Sequence, residues 1–195
     1  MPAPIVLASS SPYRRQLLEQ LRLPFRTESP DVDETPGPGE TPLQLARRLA
    51  LLKASTVGQR HPDAIVIGSD QVADVNGVAI SKPGDHQTAL LQLLDMQGRT
   101  VVFHTALAVV RRCDDHAGVD CVDTIVRFRR LARESLEAYL RLEQPYDCAG
   151  AAKIESLGIC LVESVRSDDP TALIGLPLIS LTSMLAACGV SLPGT

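Results

Sequence analysis

The chain contains no tryptophan, and its three tyrosines and three phenylalanines make up only 3% of 195 residues. So few aromatics argue against a platform on which single-stranded nucleic acid stacks its bases. Positive charge is also short: 19 Lys and Arg against 23 Asp and Glu leave a formal net charge of −4. No broad basic face is therefore available for a nucleic-acid backbone. No apolar run reaches the length of a membrane span. The start, Met1-Pro2-Ala3-Pro4-Ile5-Val6-Leu7, lacks the basic and long apolar regions of a signal peptide. Cys113, Cys121, Cys148, Cys160 and Cys188 are odd in number, scattered and without a Cys-x-x-Cys. That suits reduced thiols in a cytosol better than disulfides or a zinc framework. His61, His86, His104 and His116 show no metal-ligand spacing. The expectation is a soluble, cytoplasmic protein with no membrane or nucleic-acid partner, folded as one domain over residues 1–195.

What is present is a succession of apolar runs and capped helices. Ile5 to Ala8 is a short strand candidate, followed by Ser9-Ser10-Ser11-Pro12. Ser11 can accept from free helical N–H groups, and Pro12 suits the first helical position, where no N–H is needed. That helix is expected to run through Leu17, Leu18 and Leu21. A strand near Phe25 to Ser29 leads into the acidic loop Asp31 to Gly39. Thr41-Pro42-Leu43-Gln44 then has the form of a capping box, opening a helix striped by Leu45, Leu49 and Leu52. Ala64 to Gln71 reads as a buried strand, and Asn76-Gly77 as the turn of a hairpin returning through Val78 to Ile80. Helices are expected near 85–96, 135–142 and 178–188, and strands at 100–111, 119–131 and 158–165. Early alternation followed by long antiparallel strands predicts an α/β fold: a mixed, twisted sheet with flanking helices. Strand order is not readable.

Four places carry chemistry. A strand feeding a helix at Ser9 to Arg15 presents free N–H groups and a positive dipole end, which suits an anion. Arg14 and Arg15 oppose that dipole unless an anionic ligand is present; the bland reading is a Ser-Pro cap with solvated arginines. Asp31, Asp33 and Glu34 are oxygen donors of the kind that hold Mg²⁺ or Mn²⁺ beside a phosphate, although acidic loops are more often merely solvated. Asp70 and Gln71 end an apolar strand, where open α/β sheets bind ligands. The hairpin returns Lys82 toward Asp70, where an ammonium could neutralise phosphate charge; the bland reading is an edge-strand lysine. Lys53 in mid-helix carries the same caution. The histidines, Cys148 and the basic strand Arg127 to Arg130 are read as structural.

In combination and order the segments are specific. Ser9-Ser10-Ser11-Pro12-Tyr13-Arg14-Arg15, Asp33-Glu34-Thr35-Pro36, Arg48-Leu49-Ala50 with Lys53-Ala54, Gly68-Ser69-Asp70-Gln71-Val72, Lys82-Pro83 and Gly175-Leu176-Pro177 span nearly the whole chain. Together they resemble the Maf family of nucleoside triphosphate pyrophosphatases. One departure is Ser81 before Lys82, where Gly is more usual. The resemblance implies two lobes around a central cleft, related to the inosine triphosphate pyrophosphatases. It also implies metal-assisted cleavage between the α and β phosphates. Carried over, Asp70 matches the proton acceptor and Glu34 a metal-associated carboxylate. Ser9, Arg14 or Arg15, Lys53 and Lys82 match phosphate-contacting positions. The cofactor implied is a divalent cation, Mg²⁺ or Mn²⁺, with Glu34 and Asp70 as its ligands. A homodimer lies within the family's range, with no interface readable here.

Within the family, the dTTP/UTP branch reads Ser-Pro-Arg-Arg in the first turn, Ala-Asp-Thr at the acidic strand end, and Gln near residue 155. Here Tyr13 precedes Arg14-Arg15, Gln71 follows Asp70, and Glu155 stands in the last place. This pattern looks like the branch acting on 7-methyl-GTP. The residue types suit that base: a cationic ring over an aromatic face gains roughly 0.5–2 kcal/mol, and one carboxylate can accept guanine's two parallel donors. Tyr13, Gln71 and Glu155 are therefore the expected specificity residues; the bland alternative makes Glu155 half of a surface Lys153/Glu155 pair. Competing readings are a dTTP/UTP pyrophosphatase of the same family, a nucleotide-binding regulator of septum formation, and a generic phosphohydrolase.

Overall fold

The apolar, β-branched runs form the strands of one mixed sheet in the computed structural model, which describes residues 3–192. Residues 1–2 and 193–195, the two ends of the expected domain, lie outside the described residues. In chain order the strands are β1 (Ile5–Leu7), β2 (Phe25–Thr27), β3 (Ile65–Val75), β4 (Val78–Ile80), β5 (Thr100–Arg111), β6 (His116–Phe128) and β7 (Val162–Ser167). The helices are α1 (Pro12–Glu19), α2 (Pro42–Arg60), α3 (His86–Met96), α4 (Arg133–Glu143) and α5 (Leu178–Ala187). The sheet runs β2-β1-β3-β5-β6-β7, with β4 paired to β3. β1 is parallel to both neighbours, while β3, β5, β6 and β7 are antiparallel. The expected mixed α/β sheet with flanking helices is what forms. Among the described residues, no helix is long and apolar enough to cross a membrane.

The pleat sends alternate residues of β3 to opposite faces. On one face, Val66 and Val72 pack with Ala106, Ala108 and Val110 against Leu45, Leu49, Ala50 and Val57 of α2. On the other face there are two separate apolar clusters. Ile65, Ile67, Leu107 and Val109 pack under α1 and α5, whereas Ala73, Val75, Val101 and Phe103 pack under α3 and α4. Between them, Ser69 and Thr105 are fully buried and polar.

Pairing leaves a gap that matters for function. On the side of β3 away from β5, β1 pairs only Ile65 to Ile67 and β4 pairs only Ala73 to Val75. Residues 68–72 therefore present an unpaired edge, opened because the chain leaves β1 to start α1. The Asn76-Gly77 turn is as expected, with φ of 54° and 86° and Val75 facing Val78.

Several boundaries differ from the sequence reading, first that β3 does not end at Gln71 but runs on to Val75 with Asp70 in its middle. α1 stops at Glu19, and Leu21 packs from the turn beyond it, where Arg22 takes a left-handed φ of 53°. β6 starts three residues before the expected Val119, because a left-handed Asp115 lets a 3-10 turn at 112–114 reverse the chain at once. It ends at Phe128 because the Arg129 N–H donates to Leu161 O at 2.8 Å. Residues 157–161 form a 3-10 turn rather than a strand. There the chain folds so closely that a Cβ on Gly158 would lie 2.4 Å from Lys153 O.

Candidate active site

A cavity of about 810 Å³ opens along the unpaired edge of β3, reached by Leu45, Leu49, Lys53 and Asp70 from the α2 face and by Gln71 and Leu173 from the other. Asp70 is in its floor, and the reason Asp70 has a cation beside it lies two residues earlier. Gly68 faces α2, and a Cβ there would sit 2.3 Å from Ala50 O and 2.7 Å from Ala54 N. Only glycine allows α2 this close. The next turn of the helix then delivers Lys53, whose Nζ lies 2.6 Å from Asp70 Oδ1 and 2.6 Å from Glu34 Oε1. Lys53 and Asp70 are both buried, and the Asp70 Oδ2 accepts no hydrogen bond from the described residues.

Glu34 arrives on the acidic loop, which is tied to α2 from outside. Arg48 makes a two-pronged contact with Glu40, at 2.6 and 2.8 Å, and donates to Thr35 O at 3.0 Å. Arg48 and the Gly37 N–H hold the Glu40 carboxyl at about 2. Partial burial pushes the Glu34 carboxyl up, but the hydrogen bond and charge of Lys53, with Lys82 and Arg14, more than offset this and leave it lowered. Lys82 itself makes no ion pair among the described residues and lines the cavity.

The first turn of α1 supplies the next wall. Ser11 caps the helix by accepting from the Arg14 N–H, and buried Ser9 accepts from the Ser11 N–H at 3.1 Å. Arg14 Nε donates to Gly175 O at 2.9 Å, and its Nη1 reaches Ser9 Oγ at 3.5 Å. Burial lowers the Arg14 pKa, opposed by the charges of Asp70 and Glu34. Gly175 O is itself held, lying 2.9 Å from the buried Ser69 Oγ. Gln71 Nε2 donates to Thr105 Oγ1, Ala172 O and Leu173 O, and Thr105 Oγ1 donates to Ala172 O. The polar strip between the two clusters thus fixes the 172–175 segment and, through it, Arg14.

A further wall brings Tyr13 near Lys153 and Glu155. Lys153 Nζ lies 5.5 Å from the Tyr13 ring centroid and 2.8 Å from Glu143 Oε1. Glu143 also accepts from Ser156 Oγ and the Leu157 N–H, so the last turn of α4 anchors the segment bearing Glu155. Burial, followed by the charges of Glu143 and Asp147, raises the Glu155 pKa against the pull of Lys153. Glu155 has no ion pair among the described residues, although its surface is exposed toward the cavity mouth.

Residues 4–188 match the family described as Maf-like protein. The chain belongs to the Maf family. It is 57% identical over 189 residues to a 7-methyl-GTP pyrophosphatase of Polaromonas sp., covering 97% of this chain and 86% of the relative. It is 59% identical over 186 residues to one of Ralstonia nicotianae, covering 95% of each, and 55% identical over 190 residues to one of Bordetella pertussis, covering 97% and 94%.

In this Maf chain the cavity brings together Ser9, Tyr13, Arg14, Glu34, Lys53, Asp70, Gln71, Lys82 and Glu155, from six separate segments of the sequence. It does not bring Arg15. Successive helical residues point about 100° apart, so with Arg14 turned inward Arg15 faces solvent and pairs with Glu19 at 3.0 Å. The bland pairing of Lys153 with Glu155 does not form, since Lys153 pairs with Glu143. Ser69 and Thr105 were outside the expected set: buried hydroxyls on strands carry no sequence signal distinguishing them from ordinary core threonine and serine. Cys148 lines the cavity too, its thiol pushed up to about 12 by burial and Asp147.

The carboxylates fit a divalent cation. Glu34 and Asp70 are hard oxygen donors converging on one point, and that point already holds a cation, the Lys53 ammonium, at 2.6 Å from each.

Proposed function

We propose that this cavity hydrolyses 7-methyl-GTP between its α and β phosphates, releasing 7-methyl-GMP and pyrophosphate. The observation that carries the reading is the buried Asp70-Lys53-Glu34 cluster in a cavity that also holds Tyr13 and Glu155. The names of the Polaromonas, Ralstonia and Bordetella relatives support it. All five cysteines are unpaired, which suits the reducing cytoplasm, where a nucleotide pool is found.

Asp70 is the general base. Lys53 holds Oδ1 and so fixes the carboxylate plane, while Oδ2 takes a proton from the attacking water. The phosphoanhydride bond then breaks, and the pyrophosphate leaves with charge that Arg14, Lys82 and the positive dipole end of α1 neutralise. Ser9 keeps Arg14 and the first turn in place. Glu34 and Asp70 would hold Mg²⁺ or Mn²⁺, which would add charge neutralisation and acidify a water at the phosphates.

Base choice is assigned to Tyr13, Glu155 and Gln71. The Tyr13 face already attracts a cation, the Lys153 ammonium, which is the property that stacking a methylated, positively charged guanine needs. Glu155, with no ion pair among the described residues, is available to accept N1–H and N2–H₂ of that base. Gln71 acts from behind: its amide donors are spent on Thr105 and the 172–173 carbonyls, so it shapes the pocket rather than reading a pyrimidine edge. A panel measuring pyrophosphate release from 7-methyl-GTP, GTP, dTTP and UTP tests the assignment. The expected result is the highest kcat/KM for 7-methyl-GTP. Preference for dTTP or UTP points to the other branch of the family, and binding without release points to a regulator.

A further inference from the structure

Away from the cavity, one group of side chains is assembled by strand register alone. β5 and β6 pair His104 directly with Asp123, and Cys121, two residues along β6, points to the same face. Asp74 of β3 reaches the same imidazole from the other side. His104 Nδ1 lies 2.7 Å from Asp123 Oδ1, and its Nε2 lies 3.4 Å from Asp74 Oδ2. One ligand atom from each of His104, Cys121 and Asp123 lies within 4.8 Å of the other two. No sequence spacing betrays this set, because its members come from two strands.

We propose that His104, Cys121 and Asp123 form a second, non-catalytic metal site for Zn²⁺ or a similarly soft divalent ion, with Asp74 orienting His104. Zinc takes nitrogen, thiolate and carboxylate ligands at about 2.0–2.3 Å, so its ligand atoms lie roughly 3.2–3.7 Å apart. The Nδ1–Oδ1 pair, at 2.7 Å, must open by roughly 0.5 Å and separations of up to 4.8 Å must close by about 1–1.6 Å, movements that χ1 rotation at half-buried Cys121 and exposed Asp123 supplies. Nδ1, which donates its hydrogen to Asp123 Oδ1 at 2.7 Å, must give up that proton to bind the ion; the neutral imidazole then carries its hydrogen on Nε2, donated to Asp74, the arrangement in which metal-bound histidines are usually fixed. Coordination replaces the Cys121 S–H by an S–metal bond, and the proton passes to solvent. Asp123 and Asp120 place negative charge at this thiol, and Arg47 is the cation that reaches it. A bound dication relieves that imbalance.

The site is distinct from the phosphate-processing one. Cys121 stands two strands from Asp70, across Ala106, about 10 Å at the strand spacing. The site's thiolate and imidazole select softer ions than the carboxylate pair Glu34 and Asp70. The ion ties β5 to β6 with a fourth position open to water on the exposed side of Asp123. Its role is to stabilise the fold.

Cobalt(II) titration of the whole protein reads this directly, because a Co²⁺–thiolate bond gives a charge-transfer absorption that carboxylate ligands do not. The expected result is a band saturating at one equivalent, displaced by Zn²⁺, retained in Asp70→Asn and lost in Cys121→Ser. Asp74→Asn should weaken Co²⁺ affinity about 10–100-fold. Zn²⁺ should raise Tm in the wild type and not in Cys121→Ser. If Cys121→Ser fails to fold, Asp123→Asn, on an exposed side chain, should weaken Co²⁺ by at least about tenfold. No band in the wild type, a band that survives Cys121→Ser, or wild-type Co²⁺ affinity in Asp123→Asn overturns the proposal.

Discussion

Gly68→Ala should cripple the site through a single methyl group that never touches substrate. The added Cβ would sit 2.3 Å from Ala50 O and 2.7 Å from Ala54 N, whereas ordinary contact begins at 3.4 Å. Both partners are helix backbone, so relief requires α2 to move away from β3 by about 1 Å. Overpacking of this kind costs about 1–3 kcal/mol, a fall in Tm of roughly 2–12 °C for a chain of this size. Lys53 rides on the same helix, so its 2.6 Å contact with Asp70 opens as the helix moves. A misplacement of about 1 Å can cost on the order of 100-fold in rate. Steady-state pyrophosphate release separates this from simple destabilisation when Val57→Ala, a cavity in the same helix costing about 2 kcal/mol, is measured beside it at a temperature where both are folded. Gly68→Ala should lose kcat and Val57→Ala should keep it. Wild-type kcat in Gly68→Ala, or equal losses in both, would refute the reasoning.

Other perturbations separate the remaining parts of the site. Glu155→Gln removes the carboxylate matched to a cationic guanine edge and should shift the kcat/KM ratio of 7-methyl-GTP to UTP downward by about tenfold or more, a loss of roughly 1.4 kcal/mol; an unchanged ratio removes Glu155 from base recognition. Thr105→Val removes the 2.9 Å hydrogen bond to Ala172 O, which keeps Gln71 Nε2 at 3.1 Å as its donor. It should cost about 0.5–1.5 kcal/mol in a urea melt and raise KM, because the 172–175 segment orients Arg14. The Glu40 carboxyl titrates at about 2 in the fold against an ordinary 4.5. Its contribution to holding the acidic loop is therefore fully present above about 4.5 and is lost as pH falls toward 2, which the pH dependence of the Gly37 amide shift in NMR reads directly.

Much of this was legible in the residues because local chemistry and tertiary role coincide. Ser11-Pro12 and Thr41-Pro42 announce helices whose caps form as written, and Asn76-Gly77 makes its hairpin. The apolar run into Asp70 does deliver that carboxylate to a cavity, but from mid-strand and not from the expected strand end: β3 continues to Val75, and the cavity opens because β1 pairs only as far as Ile67. What was not legible depends on partners distant in sequence. Lys53 looks like any mid-helix lysine until Gly68 lets its helix close on β3. Arg14 and Arg15 are indistinguishable in sequence, and only the docking of α1 against Gly175 turns one inward. Glu155 and Lys153 sit two apart and suggest a pair, but Glu143, at the end of α4, takes the lysine. His104 and Asp123 are neighbours solely through β-strand register.

The central claim is that Asp70 takes the proton from a water that attacks a nucleoside triphosphate. Pyrophosphate release from 7-methyl-GTP by the wild type and by Asp70→Asn, with folding of both checked by circular dichroism, tests it most directly. The substitution keeps the side chain's size and its contact atom for Lys53 but removes the base. A loss of about 10²–10⁴-fold in kcat is the predicted result. A folded Asp70→Asn variant that releases pyrophosphate at the wild-type rate would contradict the account.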